Sequence, residues 1–153
     1  MFSSVYTIAI NERIKSPLDA QYKEITVTKA TAFSVTQEEN PPKNSIDNDY
    51  STRFSGATPN WAMYDLGYSQ KVDCVAMAFY SGSTRQSEIR IEVSDDKINW
   101  TEVFSGHSSG TTDELEKFDI GGVNARYIKV HGYGCSDGAG WLSVSEFKAF
   151  EKR

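Results

Sequence analysis

The feature that most constrains this chain is a succession of short runs rich in β-branched and aromatic residues, with no helical period between them. They are Ile25–Thr28, Trp61–Leu66, Val72–Tyr80, Ile89–Ser94, Leu115–Ile120, Tyr127–His131 and Val144–Phe150. Runs of this length and pattern read as strands, and several of them separated by turns indicate an antiparallel sandwich or barrel. The separators carry the matching chemistry: Asn40-Pro41-Pro42-Lys43-Asn44, Gly56-Ala57-Thr58-Pro59-Asn60, Gly67-Tyr68-Ser69, Asp95-Asp96-Lys97, Ser108-Ser109-Gly110 and Gly121-Gly122. Function is expected in these loops, because a strand scaffold places its adaptable backbone there.

With 153 residues the chain fits one domain and one core. Residues 1 to 23 stand apart as a linker or an added N-terminal edge strand, with a possible strand at Val5 to Ile10 and a break at Lys15-Ser16-Pro17. Residues 24 to 153 form the β-sandwich. A net charge of −5 argues against a nucleic-acid partner held by bulk electrostatics, so an acidic ligand needs a local basic cluster. No apolar stretch approaches the ~18 residues of a membrane span. The start, Met1-Phe2-Ser3-Ser4, lacks a basic segment followed by an apolar core. The sequence is therefore expected to be either a piece of a longer protein or one not secreted by the usual route. Cys74 lies in a continuous apolar run and Cys135 in a Gly-rich loop; two buried or half-buried free thiols are favoured over a disulfide.

Catalysis finds little support. His107 and His131 are too scattered for a zinc or catalytic centre, and no Gly-x-Ser-x-Gly turn occurs. Paired glycosidase carboxylates are not recognisable by spacing, so the carboxylates alone decide nothing.

Taken in order, Asn40 to Asp49, Ser51-Thr52-Arg53-Phe54-Ser55, Trp61 to Gly67, Val93-Ser94-Asp95-Asp96, Asn99-Trp100, Ala125-Arg126-Tyr127-Ile128 and Ser145-Glu146-Phe147 resemble the coagulation factor 5/8 type C, or discoidin, domains. More closely they resemble family 32 carbohydrate-binding modules, over about residues 24 to 150. Phe79 to Arg85, Ser108 to Thr112 and Val130 to Gly134 look most like the branch attached to alginate lyases. The resemblance implies an all-β, eight-stranded antiparallel jelly-roll sandwich with ligand loops at one end. It also implies a non-catalytic module that tethers a polysaccharide, first alginate or a related uronate polymer, for an attached catalytic domain. Its location would be extracellular, cell-surface or periplasmic, within a larger secreted protein. The alternatives are a galactose or N-acetylgalactosamine lectin and a protein or cell-surface adhesion domain. Against the last, the Asn40 to Asn44 and Gly82 to Ser87 loops are polar.

Asn44, Asp47, Asp49 and Thr52 crowd oxygen atoms into nine residues, which suits a hard cation. The spacing is not that of an EF-hand, and read alone Asp47-Asn48-Asp49 is favoured as an Asx-rich turn satisfying its own backbone. In the family this turn holds a structural calcium ion together with a Glu of the last strand. The resemblance thus gives Asp47 as carboxylate ligand, Thr52 through hydroxyl and carbonyl, Asn44 and Asp49 through carbonyls, and Glu146 closing the site.

A sugar site combines polar side chains with an aromatic platform. Arg85 offers a fork for two hydroxyls or a uronate carboxylate, or else forms a surface salt bridge with Glu88. Tyr133 or Trp141 could be the platform within the Gly-rich segment His131 to Trp141, with Trp141 alternatively a half-buried plug. His131, Arg53 and Tyr80 complete the candidate set, Tyr80 either lining the site or ending its strand. Phe54, Trp61 and Trp100 are expected to be packing residues.

Overall fold

A computed structural model describes residues 20–153. The possible strand at Val5 to Ile10 and the break at Lys15 to Pro17 lie outside the described residues. Eight strands follow: β1 Tyr22–Ile25, β2 Lys29–Ala32, β3 Phe54–Ala57, β4 Asn60–Phe79, β5 Ser87–Ser94, β6 Thr101–His107, β7 Glu116–Cys135 and β8 Trp141–Lys152. All pairings are antiparallel.

Two 20-residue strands, β4 and β7, pair with each other along nearly their whole length. Their ladder slips between Asp65 and Gln70 and again between Val72 and Cys74. Gly67 at φ +90°, with Gly121 and Gly122 at +88° and +69°, supplies left-handed backbone at the crease. On one side of the crease the ribbon pairs with β2 and β5, and β6 extends the layer beyond β5. On the other side it pairs with β8, which carries β1. The runs at 61–66 and 72–80 are thus two arms of one strand, and Gly67-Tyr68-Ser69 is a corner within it. The runs at 115–120 and 127–131 are likewise arms of β7.

The two arms of β4 show why their sequences differ. In the first, Ala62, Tyr64 and Leu66 are buried while Trp61, Met63 and Asp65 are half-buried on the outer face. In the second, Val75, Met77 and Phe79 enter the main core, whereas Cys74, Ala76 and Ala78 pack outward against Tyr22, Leu115 and Phe150. A strand covered on both faces loses its alternation, hence the unbroken apolar run.

One expected strand is corrected. Ile25–Thr28 is not one strand: Ile25 ends β1, paired with Ala149 of β8, residues 26–28 pass between the layers, and Lys29 opens β2, paired with Asp65 of β4. The β propensity there is overridden by the change of partner. Besides β1 and β2, which flank that passage, β3 and β6 lie outside the expected runs, because Phe54-Ser55-Gly56-Ala57 reads as a loop and β6 is largely exposed. At the chain's far end, Tyr22 lies opposite Lys152, and the Arg153 amide donates to the Gln21 carbonyl at 2.9 Å.

The layers meet at Tyr64 and Phe147, whose rings stack 3.8 Å apart with planes 2° from parallel. Tyr64 is fully buried, and burial holds its hydroxyl above the usual tyrosine range. Its Oη lies 2.8 Å from Ser45 Oγ, at the end of the 3-10 turn Pro42–Ser45. Ser45 Oγ donates to the Pro42 carbonyl at 2.7 Å, so the Tyr64 hydroxyl is the donor to Ser45. The core thereby fixes the start of the loop that follows.

Both cysteines are free, Cys74 buried and Cys135 half-buried. Burial pushes the Cys74 thiol up to about 12.

Tyr64→Phe should lower unfolding free energy by ~1 kcal/mol, while Ser45→Ala, which strands a buried hydroxyl, should cost more, about 1–3 kcal/mol. Urea midpoints would report this, and equal losses would remove the pin. A thiol reagent at neutral pH should titrate one cysteine in the folded chain and two in denaturant; two at once in the folded chain would contradict the burial of Cys74.

Candidate functional site

Two constellations occupy the loops around β3 and the turns flanking β4 and β8. The first is basic. Tyr80 leaves β4 with its amide on the Ser143 carbonyl, and the turn after it is braced by Gly82 to Phe79 and Thr84 to Ser81 hydrogen bonds of 3.0 Å. Ser81 is left-handed at φ +58°, and a Cβ on Gly82 would meet the Thr112 carbonyl at 2.4 Å. Gly82 thus lets the Tyr80–Arg85 loop lie against the segment before β7, where Ser83 N also donates to Asp113.

This braced loop brings two guanidinium groups to one ring. The Arg53 Cζ is 3.9 Å and the Arg85 Cζ 6.0 Å from the Tyr80 ring centroid. Tyr80 remains 46% exposed, whereas the Arg85 side chain is only 11% exposed. Tyr80 therefore both ends its strand and lines the cluster, with Arg53 seated over its ring. The Nε atoms of both arginines are buried without a hydrogen-bond partner among the described residues. Arg85 does not pair with Glu88; its Nη1 lies 3.9 Å from Asp137 Oδ2. Glu88 is carried by β5 in register with Gly134 and His107, so it belongs to the outer face of that layer.

Other expected sugar-site residues are not brought onto this cluster. His131 and Tyr133 alternate with the inward Val130 and Gly132 and so lie on the outer face of β7. There His131 Nε2 is 2.7 Å from Glu92 Oε1, and its ring lies 6.3 Å from that of Tyr133 at 11°. Arg90 Nε donates to the Tyr133 hydroxyl at 3.0 Å. The strand period separates these two residues from Arg85, although the sequence places all three near the same turns. Trp141 is half-buried at the start of β8 opposite Ala57, and among the described residues no ring or hydrogen-bond contact joins its side chain to the arginines. Phe54 is fully buried, and Trp61 and Trp100 flank the Lys129 ammonium at 4.7 and 3.9 Å. These three are packing residues, as expected.

The sequence did not single out Asp137, whose carboxylate reaches Arg85 across two loops. Its only signal was its place in a Gly-rich turn.

The second constellation is made of oxygen atoms. Thr52 Oγ1 lies 3.3 Å from the Asn44 carbonyl, 2.6 Å from Asp47 Oδ2 and 3.0 Å from the Asp49 carbonyl. One hydroxyl has one proton, so three acceptors converge on it and only one is fully served. The Asn44 side chain faces elsewhere, donating to the Arg53 carbonyl at 3.1 Å. The Asp49 carboxylate is likewise turned away: Ser51 donates to it through Oγ and N, which holds it below the usual carboxylate range. Asn44 and Asp49 thus offer backbone oxygens here.

Glu146, 1% exposed on β8, accepts the Asn48 amide at 3.1 and 3.2 Å, closing the loop from 98 residues away. Burial pushes its carboxyl up to about 7; the Lys148 ammonium, 4.0 Å away, opposes this and the Asp47 charge adds to it. Among the described residues no three His, Cys, Asp or Glu side chains gather as a metal cluster. The donor set is two carboxylates with carbonyl and hydroxyl oxygens, which fits a hard cation rather than zinc.

Comparison with known proteins agrees with this architecture. The sequence matches the F5/8 type C domain over residues 29–147. No curated protein matches significantly. Among solved structures, the CBM32 of AlyQ in complex with 4,5-unsaturated mannuronic acid is 35% identical with a TM-score of 0.80, covering 84% of this chain and 98% of that one. A truncated AlyQ with CBM32 and alginate lyase domains is 34% identical with a TM-score of 0.81, covering 86% of this chain; this chain spans 34% of that one. A pectin-binding carbohydrate-binding module, 24% identical with a TM-score of 0.77 over 82% of this chain and 91% of that one, shares the fold. The chain belongs to the F5/8 type C domains and, among them, to the family 32 carbohydrate-binding modules related to that of an alginate lyase.

Proposed function

We propose that this carbohydrate-binding module holds a uronate polysaccharide of the alginate class through Arg53 and Arg85. The observation that carries the reading is the pair of guanidinium groups beside Tyr80, both with a buried Nε–H that has no hydrogen-bond partner among the described residues. A carboxylate accepts such donors in bidentate fashion, whereas a neutral hydroxyl leaves their charge uncompensated. Among the described residues the one ion pair these arginines make is that of Arg85 with Asp137, at 3.9 Å, so two guanidinium charges face one paired carboxylate in a chain of net charge −5. The mannuronic acid bound by the AlyQ module is a ligand of this chemistry.

The module's role is to raise the local concentration of polymer for a catalytic domain in the same protein, the arrangement of the AlyQ chain that carries both. In that role it belongs to a larger secreted protein, outside the cell or in the periplasm. Asp47, Thr52, Glu146 and the carbonyls of Asn44 and Asp49 would hold a calcium ion, whose charge would serve oxygens that one hydroxyl proton cannot satisfy. These residues would then join the loop before β3 to the last strand, a structural role.

Calorimetric titration of mannuronate oligosaccharides should show saturable binding, weakened about 10- to 100-fold by Arg85→Ala or Arg53→Ala. That is the loss expected when a charge-assisted hydrogen bond of ~1.5–3 kcal/mol is removed. Binding of galactose in place of uronates, or unchanged affinity in both variants, would overturn the reading. For calcium, chelation should lower Tm and added calcium restore it, with ~2.7 kcal/mol of stabilisation at a hundredfold excess over Kd. Asp47→Ala should abolish that response; a Tm indifferent to chelator in the parent protein would remove the ion.

A further inference from the structure

On the outer face of β5, β6 and β7 lies an open cavity of about 410 Å³ that the arginine cluster does not use. It begins one residue away from that cluster. Gln86 N donates to Ser136 Oγ at 2.8 Å, and Ser136 N donates to the Gln86 carbonyl at 2.9 Å. This clasp joins the two loops. Their neighbours Arg85 and Asp137 pair at 3.9 Å, while Gln86 and Ser136 themselves line the cavity.

The cavity's aromatic wall is Tyr133, which is 37% exposed. Arg90 fixes the ring, donating to its hydroxyl through both Nε and Nη2 while its Nη1 is 3.4 Å from Glu102. His131 lies nearly parallel beside it. An exposed aromatic held in one place loses little entropy when a ligand covers it. The other polar side chains that line the cavity, Gln86, Glu88, Ser105, His107 and Ser136, include no lysine or arginine. Glu88 has no ion pair among the described residues. His107 Nδ1 must donate to the Ser108 carbonyl, 2.9 Å away, because a carbonyl only accepts; in the neutral ring Nε2 is then an acceptor. Gly106 and Gly134 leave the wall open.

A fixed aromatic ring, an amide, a carboxylate and an imidazole around a volume of this size suit the C–H face and hydroxyls of a pyranose. Glu88 disfavours an anionic group pointing inward, so a uronate unit here turns its carboxylate to solvent. We propose that this cavity is a second saccharide subsite, in which Tyr133 and Glu88 receive the sugar adjoining the one held by Arg53 and Arg85 on the same polysaccharide strand. The inference rests on the uronate reading above for the first sugar, and extends the bound stretch from one unit to at least two.

The test is chain-length dependence. Mannuronic acid and mannuronate di- and tetrasaccharides would be titrated into the parent chain, Tyr133→Ala, Glu88→Ala and Arg85→Ala, with amide resonances followed by NMR. The parent chain should bind the di- and tetrasaccharide several-fold more tightly than the monosaccharide, with Ser105, Gly106 and His107 amides shifting only for the longer ones. Tyr133→Ala and Glu88→Ala should keep monosaccharide affinity and lose the gain with length. Glu88 is exposed and unpaired, so its variant tests the site even if Tyr133→Ala unfolds. A parent chain with no gain in affinity with length, or a gain that survives both substitutions, overturns the second subsite and leaves the arginine site standing. Loss of the gain in these variants while Arg85→Ala binds normally overturns the arginine site instead.

Discussion

The ribbon formed by β4 and β7 sets every other position in the molecule. Antiparallel pairing fixes side-chain direction residue by residue, so a ribbon that runs through both layers gives them a common register. From that register follow the inward set Ala62, Tyr64, Ile128 and Val130 and the outward set Trp61, Lys129 and His131. The end of β4 at Phe79 then places Tyr80, and with it the site of the two arginines. A slip of one residue would bury Lys129 and His131 and expose Tyr64, which no local adjustment could offset.

Much of this was legible in the sequence because the period of two survives wherever one face of a strand meets water. Trp61–Leu66 and Ile89–Ser94 show it plainly. The pattern failed where tertiary context outweighed it. Ile25–Thr28 is β-branched yet crosses between layers, and the Gly67 corner reads as a break between strands although the chain continues in one ribbon. β3 is a strand because β8 lies beside it, and nothing in Phe54-Ser55-Gly56-Ala57 announces that partner.

The oxygen-rich turn was more legible than the arginine cluster, for a physical reason. Its donors come from one nine-residue loop plus Glu146, and local spacing carries most of the geometry. The arginine cluster joins residues 53, 80, 85 and 137, which only the fold brings together. Residue type pointed to Arg85 and Tyr80. It could not tell that Tyr133, equally close in sequence to the ligand loops, alternates onto the other face, or that the partner of Arg85 would be Asp137 and not Glu88.

The pairing of Tyr22 with Lys152, and of Arg153 with Gln21, gives the described chain its two ends within one hydrogen bond of each other. β8 runs from Trp141, opposite Ala57 of β3, to Lys152 at that closure; twelve residues at ~3.3 Å each put the two roughly 35 Å apart. Mechanically the domain is a lever with a single fulcrum. Any polypeptide that continues from the described residues at either end leaves from the same point, so a pull on a ligand held at the Tyr80 end would run lengthwise through β8 and the ribbon to one anchor. Such a load would shear hydrogen-bonded strands along their axes instead of peeling the layers apart.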